Sequence, residues 1–256
     1  MKLIDDFLNK TTMYRLTLYY LIGLVLAALV FSFLGLLSFT PFSLIVSVCF
    51  LAVCCRLVNT FFAGVFKVPV NLESAYISAL ILALIITPVK GVQGLFFLFW
   101  LAVLAMASKY FFVRKGIHLF NPVALVIFVG SIVLHQVGSW WVGTGSMLPL
   151  VFLGGLLIIR KTQKEAMVFS FLITAILTIF LSNLLKGNNF ILLFRELITA
   201  TPFFFFAFVM LTEPKTTPRS KKLQIYYGGL IGLGFSFLSP ETALLAGNVF
   251  SFLFKK

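Results

Sequence analysis

Apolar residues fill this chain in long blocks separated by short polar loops. The block Leu16 to Leu37 holds 22 residues and no charge, enough for one helix to cross a bilayer core. Ten such blocks are legible, at about 16–37, 42–60, 70–87, 92–108, 117–135, 142–159, 166–185, 197–212, 223–238 and 240–254. The first reads as a retained span and not a cleavable leader. Asp5 and Asp6 precede it, the apolar run is too long, and no small-residue cleavage site follows. Several blocks are short, and the third, fifth, eighth and tenth carry Asn, Pro or Glu at their ends. Two readings fit these: broken helices that line a protected cavity, or thin or tilted single helices.

The loops set an orientation. With the N-terminus in the cytoplasm, 17 of the 20 Lys and Arg residues fall inside, and only Lys90, Lys186 and Arg195 fall outside. That asymmetry requires an even number of spans with both termini cytoplasmic. Ten spans divide into five per half, and an odd number turns the second half upside down.

A repeated pattern points to the same division. Thr87-Pro88 closes the third block, with Asn121 33 residues beyond the proline. Thr212-Glu213-Pro214 closes the eighth, with Asn248 34 residues beyond. The expected fold is an all-α polytopic membrane protein, one integral membrane domain over residues 1–256. About ten transmembrane helices form two inverted five-helix repeats, 16–135 and 142–254. Such proteins place their site between the repeats. Pro88 is expected to superpose on Pro214 and Asn121 on Asn248.

Composition narrows the class. Hydrophobic residues make up 61% and charged residues 11%, and the mean hydropathy is +1.11, which excludes a soluble globular domain. The net charge of +13 sits in short loops, a pattern of membrane orientation and not of nucleic-acid binding. Cys49, Cys54 and Cys55 share one apolar block and read as small buried hydrophobes; a thiolate pair sharing an iron-sulfur cluster with a partner subunit is the alternative. Phe203 to Phe206 reads as lipid-facing or core packing, and Trp140 and Trp141 as interfacial rings at an outer segment end.

No phosphate-cradling loop, dinucleotide fingerprint or His-x-x-x-His is present. His118 reads as interfacial. Four of the seven acids, Glu73, Glu196, Glu213 and Glu241, abut apolar blocks. Each is either an ion or proton site or an interfacial acid with a neighbouring base. Asn121-Pro122 and Asn248 are the sharper candidates. Proline frees a backbone carbonyl and Asn carries both a donor and an acceptor, so together they can hold a polar ligand edge; Asn-Pro can equally just start a helix. Ser78 and Thr201, on the broken third and eighth blocks, complete the expected binding set.

The same residues carry a family likeness. Lys109 through Gly116 to Phe120-Asn121-Pro122-Val-Ala124 resembles the Lys…Gly…Phe-Asn-Pro-Ala signature shared by two related subunits. These are the D subunit of the Rnf complex and the B subunit of the sodium-translocating NADH:quinone oxidoreductase. Ala207-Phe-Val-Met210-Leu-Thr212-Glu213-Pro214, with Tyr227-Gly228 downstream, resembles the family's Ala-Phe-Phe-Met-Ala-Thr-Asp-Pro and Tyr-Gly. Gly143-Thr-Gly-Ser146 leading to Leu153-Gly154-Gly155 resembles its Gly-Glu-Thr-Ser…Leu-Gly-Gly. The resemblance implies ten helices in two inverted units, an arrangement shared with urea-transporter-like channels. It also implies a flavin, FMN or riboflavin, relaying electrons across a prokaryotic inner membrane beside other membrane subunits, with possible coupling to ion translocation. The chain then acts as a non-catalytic subunit and not as a stand-alone enzyme. Family members attach FMN through a Thr in Ser-Gly-Ala-Thr. That motif does not occur here, and the nearest threonine, Thr144, fits the later motif better, so the expected flavin is non-covalent. The competing expectation is a channel or transporter for a small polar solute or a flavin.

Overall fold

The computed structural model describes residues 10–114, 116–133, 138–184, 190–199 and 202–254. It is all-α apart from one short hairpin, and its helices fall on the apolar blocks except Phe190–Thr199, most of which occupies the stretch expected to be a loop between the seventh and eighth blocks. They are α1 (Met13–Phe33), α2 (Pro41–Val65), α3 (Leu72–Ile85), α4 (Gly91–Phe111), α5 (Pro122–Val133), α6 (Leu148–Thr162) and α7 (Glu165–Leu184). There follow α8 (Phe190–Thr199), α9 (Phe203–Phe205), α10 (Lys221–Phe235) and α11 (Pro240–Phe254). The hairpin pairs β1 (Val113–Arg114) with β2 (Ile117–His118) between α4 and α5. Among the described residues, α1, α2, α4 and α7 are long and apolar enough to cross a membrane. Most of their surface faces outward: only 22% of the apolar window of α7 is buried within the protein.

Local chemistry starts the helices where they start. Thr12, Thr40, Asn71 and Ser220 each accept a backbone N–H from the first turn of α1, α2, α3 and α10, a contribution of about 1 kcal/mol per cap. Pro41, Pro122 and Pro240 occupy first helical positions, where the missing N–H costs nothing.

The most extensive packing is α7 with α10, followed by α2 with both α4 and α3; α4 also packs on α5 and α10 on α11. The closest contact is glycine-built. A Cβ on Gly228 would lie 2.2 Å from the Met167 carbonyl oxygen, and one on Gly232 would lie 2.7 Å from that of Phe171. Two glycines four apart thus let the backbones of α10 and α7 touch, the small-residue packing that apolar solvents favour. Ser170 Oγ, donating to the Ile225 carbonyl at 2.7 Å, crosses the same seam. Between the pairs, α1 meets α6 and α5 meets α11.

Two of the short elements stop inside the protein. Helix α3 has 14 residues, about 21 Å of rise against a core of about 30 Å. The eighth block is interrupted: α8 ends at Thr199, and beyond Pro202 the short α9 runs into a π-helical stretch, Phe206–Met210. Phe203, Phe205 and Phe206 are fully buried there. Phe171 stacks on Phe203 and Phe206 with ring centroids 5.6 and 5.4 Å apart, so the phenylalanine run is core and not lipid-facing surface.

Trp140 and Trp141 depart from expectation. Both are buried, not interfacial. The Trp141 indole N–H donates to the carbonyls of Ala83 and Ile86 at 3.0 Å each. Trp140 N–H and Ser139 Oγ both donate to Ile85 O at 2.8 Å. A helix that ends inside apolar surroundings must have its last carbonyls satisfied, and this loop does it for α3. His118 is likewise buried within the protein.

Candidate functional site

The beginnings of α1, α3 and α5 and the endings of α6 and the π-helical stretch converge on a cleft. It holds about 590 Å³ of empty space counted to its open mouth. Helices α1, α3 and α5 therefore lead away from the cleft, and α6 and the π-helical stretch lead into it. Three of the five predicted site residues line the cleft: Ser78, Asn121 and Pro122. Thr201 lies outside the described residues.

Asn121 has two tasks. Its Oδ1 accepts from the backbone N–H of Val123 and Ala124, both at 3.0 Å, which caps α5. Its own N–H donates to Asn248 Oδ1 at 2.8 Å. The Nδ2 group is left with no partner among the described residues, on a residue that lines the cleft. The Asn-Pro pair is thus both a helix start and a polar wall. Ser78 adds a hydroxyl with no hydrogen bond among the described residues.

Asn248 stands behind the wall. Its Nδ2 donates to the Tyr227 hydroxyl at 2.7 Å, and both residues are fully buried. The two ends of its amide are engaged by protein, and it is not among the cleft residues. It ties α5 to α10 through Tyr227 and fixes the backbone of Asn121. The two asparagines also occupy unlike places: Asn121 precedes α5, whereas Asn248 lies eight residues into α11. Their matched spacings therefore do not mark equivalent helix positions. Ser239-Pro240 starts α11 much as Asn121-Pro122 starts α5: the Ser239 hydroxyl accepts from Thr242 N–H, as Asn121 does from its own first turn.

Thr212, Glu213 and Pro214, marked in sequence by the repeated block ending, the boundary position of Glu213 and the family likeness, form the opposite wall with Tyr14. Tyr14 and Glu213 are within electrostatic reach of each other. No period or spacing marked Tyr14. The cleft is mostly apolar with a few convergent polar groups, which is the usual composition of a small-molecule site.

The other boundary acids separate. Glu73 pairs with Arg15 at 2.9 Å, both well exposed, a contact worth little. Glu196 is exposed on α8. Glu241 is buried in the first turn of α11, and its Oε2 has no hydrogen-bond partner among the described residues. The three cysteines are free, with Cys55 buried in α2; no group of three or more metal-ligating side chains occurs among the described residues.

Compared with known proteins, the chain matches no family model and no curated protein.

Proposed function

We propose that this protein is a membrane subunit of an Rnf/Nqr-type electron-transport complex, with a flavin held non-covalently in the cleft. The observation that carries the reading is convergence. The Phe-Asn-Pro and Thr-Glu-Pro stretches, about 90 residues apart in sequence, face each other across one cavity. Ser78 and Asn121 offer hydrogen bonds to a polar ring edge, and Ile77, Ile81 and Val209 offer apolar contact to its faces. A bound flavin supplies electron-transfer chemistry that side chains lack; the chain binds it, orients it and keeps water from it. Partners are the other membrane subunits that deliver and accept electrons.

The architecture that goes with this function is ten spans in two inverted five-helix halves, with both termini in the cytoplasm of a prokaryotic cell. Packing supports it. Helices α2 and α4 pair in the first half as α7 and α10 do in the second, and α4–α5 is matched by α10–α11. Same-ranked helices, α1 with α6 and α5 with α11, meet across the divide. An odd count per half inverts the second.

A second reading, a transporter or channel for a small polar solute, is favoured by one observation: the Ser-Gly-Ala-Thr attachment stretch is missing. An absorption spectrum of the purified protein separates the two. A flavin band at about 450 nm that weakens in Asn121→Ser supports the electron-transport reading. No flavin, together with solute uptake into vesicles that depends on Asn121, establishes the transporter.

A further inference from the structure

We propose that Thr17, Thr162 and Thr212 make one wall of the cleft a selector for an uncharged ligand rich in hydroxyl or N–H donors, and against a ligand carrying a phosphate. All three line the cleft. Thr17 and Thr162 are half-buried and Thr212 is fully buried. They come from three elements: the second turn of α1, the last residue of α6, and the stretch just after the π-helical turn.

A hydroxyl has one hydrogen and two lone pairs. In all three threonines the hydrogen is already engaged by a carbonyl one turn back. Thr17 Oγ1 donates to Met13 O at 3.0 Å, Thr162 Oγ1 to Ile158 O at 2.9 Å, and Thr212 Oγ1 to Phe208 O at 2.7 Å. Toward a ligand these oxygens can only accept. The α3–α5 side has the other character, because the Ser78 hydroxyl and Asn121 Nδ2 have hydrogens with no partner among the described residues. The cleft therefore matches a ligand with acceptors along one edge and donors along another.

A phosphate finds no counterpart there. A buried anion needs a cation or several strong donors. No Lys, Arg or His lines the cleft, and its one charged residue, Glu213, is acidic. Lys109 bonds Ser74, which lines both the cleft and a neighbouring cavity, but Lys109 itself lines only the neighbour. Open helix starts can also hold anions, yet the three that begin here are capped by their own chain. Thr12 accepts from Arg15 N–H, Asn71 from Ser74 N–H, and Asn121 from the N–H groups of Val123 and Ala124. That the ligand is a flavin rests on the function proposed above; its hydroxylated side chain supplies donors and its ring carbonyls supply acceptors. The polarity of the threonine wall holds for any occupant.

The test is titration of the detergent-purified full chain, freed of endogenous flavin, read by flavin fluorescence and by Tm. Riboflavin should bind at least about tenfold more tightly than FMN, which differs from it only by the phosphate. Thr17→Val and Thr162→Val retain the shape and remove the acceptor. Each should weaken riboflavin about fivefold and leave lumiflavin, which has the ring without the hydroxylated side chain, unchanged. FMN binding as tightly as riboflavin overturns the selector. So do valine variants that weaken lumiflavin as much as riboflavin, which is the signature of packing alone. If no flavin binds, the flavin reading fails, and ribitol against ribitol 5-phosphate decides the selector by itself. A rise in Tm with ribitol that is lost in Thr17→Val upholds it; no rise, or an equal rise with the phosphate, overturns it.

Discussion

The two ends of α3 are finished in opposite ways. At its C-terminal end the carbonyls of Ala83, Ile85 and Ile86 are closed by Ser139, Trp140 and Trp141. Phe39 packs edge-on against Trp141 at 4.8 Å, and Gly138 fits so tightly that a Cβ would come within 3.0 Å of Ile85. At its N-terminal end the first two turns border two cavities, with Ser74 in both and Ser78 in one. The same short helix is thus sealed by protein at one end and left polar and accessible at the other. A helix ending inside apolar surroundings has to satisfy its last carbonyls somewhere. Where protein does so the structure is a plug, and where donors and acceptors remain open it is a site. The expected consequence is one-sided access to the cleft, from the N-terminal end of α3.

The largest expected effect breaks the sealed end. Trp141→Ala removes a buried ring and orphans two carbonyls, a loss of about 3–5 kcal/mol for the ring alone. It should appear as a large fall in Tm. Trp141→Phe retains most of the bulk and removes only the N–H, so about 1–3 kcal/mol should be lost. If Trp141→Phe unfolds like the parent, packing and not carbonyl capping closes that end.

The next effect lies behind the open end. Asn248→Ala leaves the Asn121 N–H and the Tyr227 hydroxyl without their shared partner, each a loss of about 1–3 kcal/mol. Stability and flavin retention should fall together. Asn121→Ser retains a side-chain cap for α5 and removes Nδ2 without burying a charge. It should change stability by less than about 1 kcal/mol and weaken flavin retention about tenfold. Equal losses of stability in the two variants would contradict the assignment of Asn248 to positioning and Asn121 to contact.

How much of this was legible in sequence depends on the range of the interaction. Helix existence follows from unbroken apolar blocks, and helix starts from local signals such as Thr40-Pro41 and Asn121-Pro122. The ends of short helices are set by distant residues. Nothing local to Ala83 announces an indole 58 positions away, so Trp140 and Trp141 read as interfacial rings. The asparagines illustrate the same limit. Their matched spacing singled out two residues that are in direct contact and not in equivalent helix positions. Tyr14 and Lys109 entered the two cavities only through tertiary packing, although Lys109 was marked by the family likeness.

The smallest effect on stability is the sharpest probe of the comparison. Ser78→Ala removes one hydroxyl that makes no hydrogen bond among the described residues, so stability should stay within about 0.5 kcal/mol of the parent. If that hydroxyl bonds the ligand, affinity should still drop about tenfold, a loss in binding without a loss in folding. Ser78→Cys in a variant lacking the three native cysteines then reports the direction of access. A membrane-impermeant thiol reagent should modify it from the basic side of sealed vesicles and be blocked by saturating flavin. A cysteine at Trp141 tests the plugged end only after the plug is gone, so the informative control is Ser139→Cys, placed beside the seal. It should react, if at all, only from the other side. Labelling of Ser78→Cys from that other side would mean that α3 is open at both ends and that the cleft belongs to a channel.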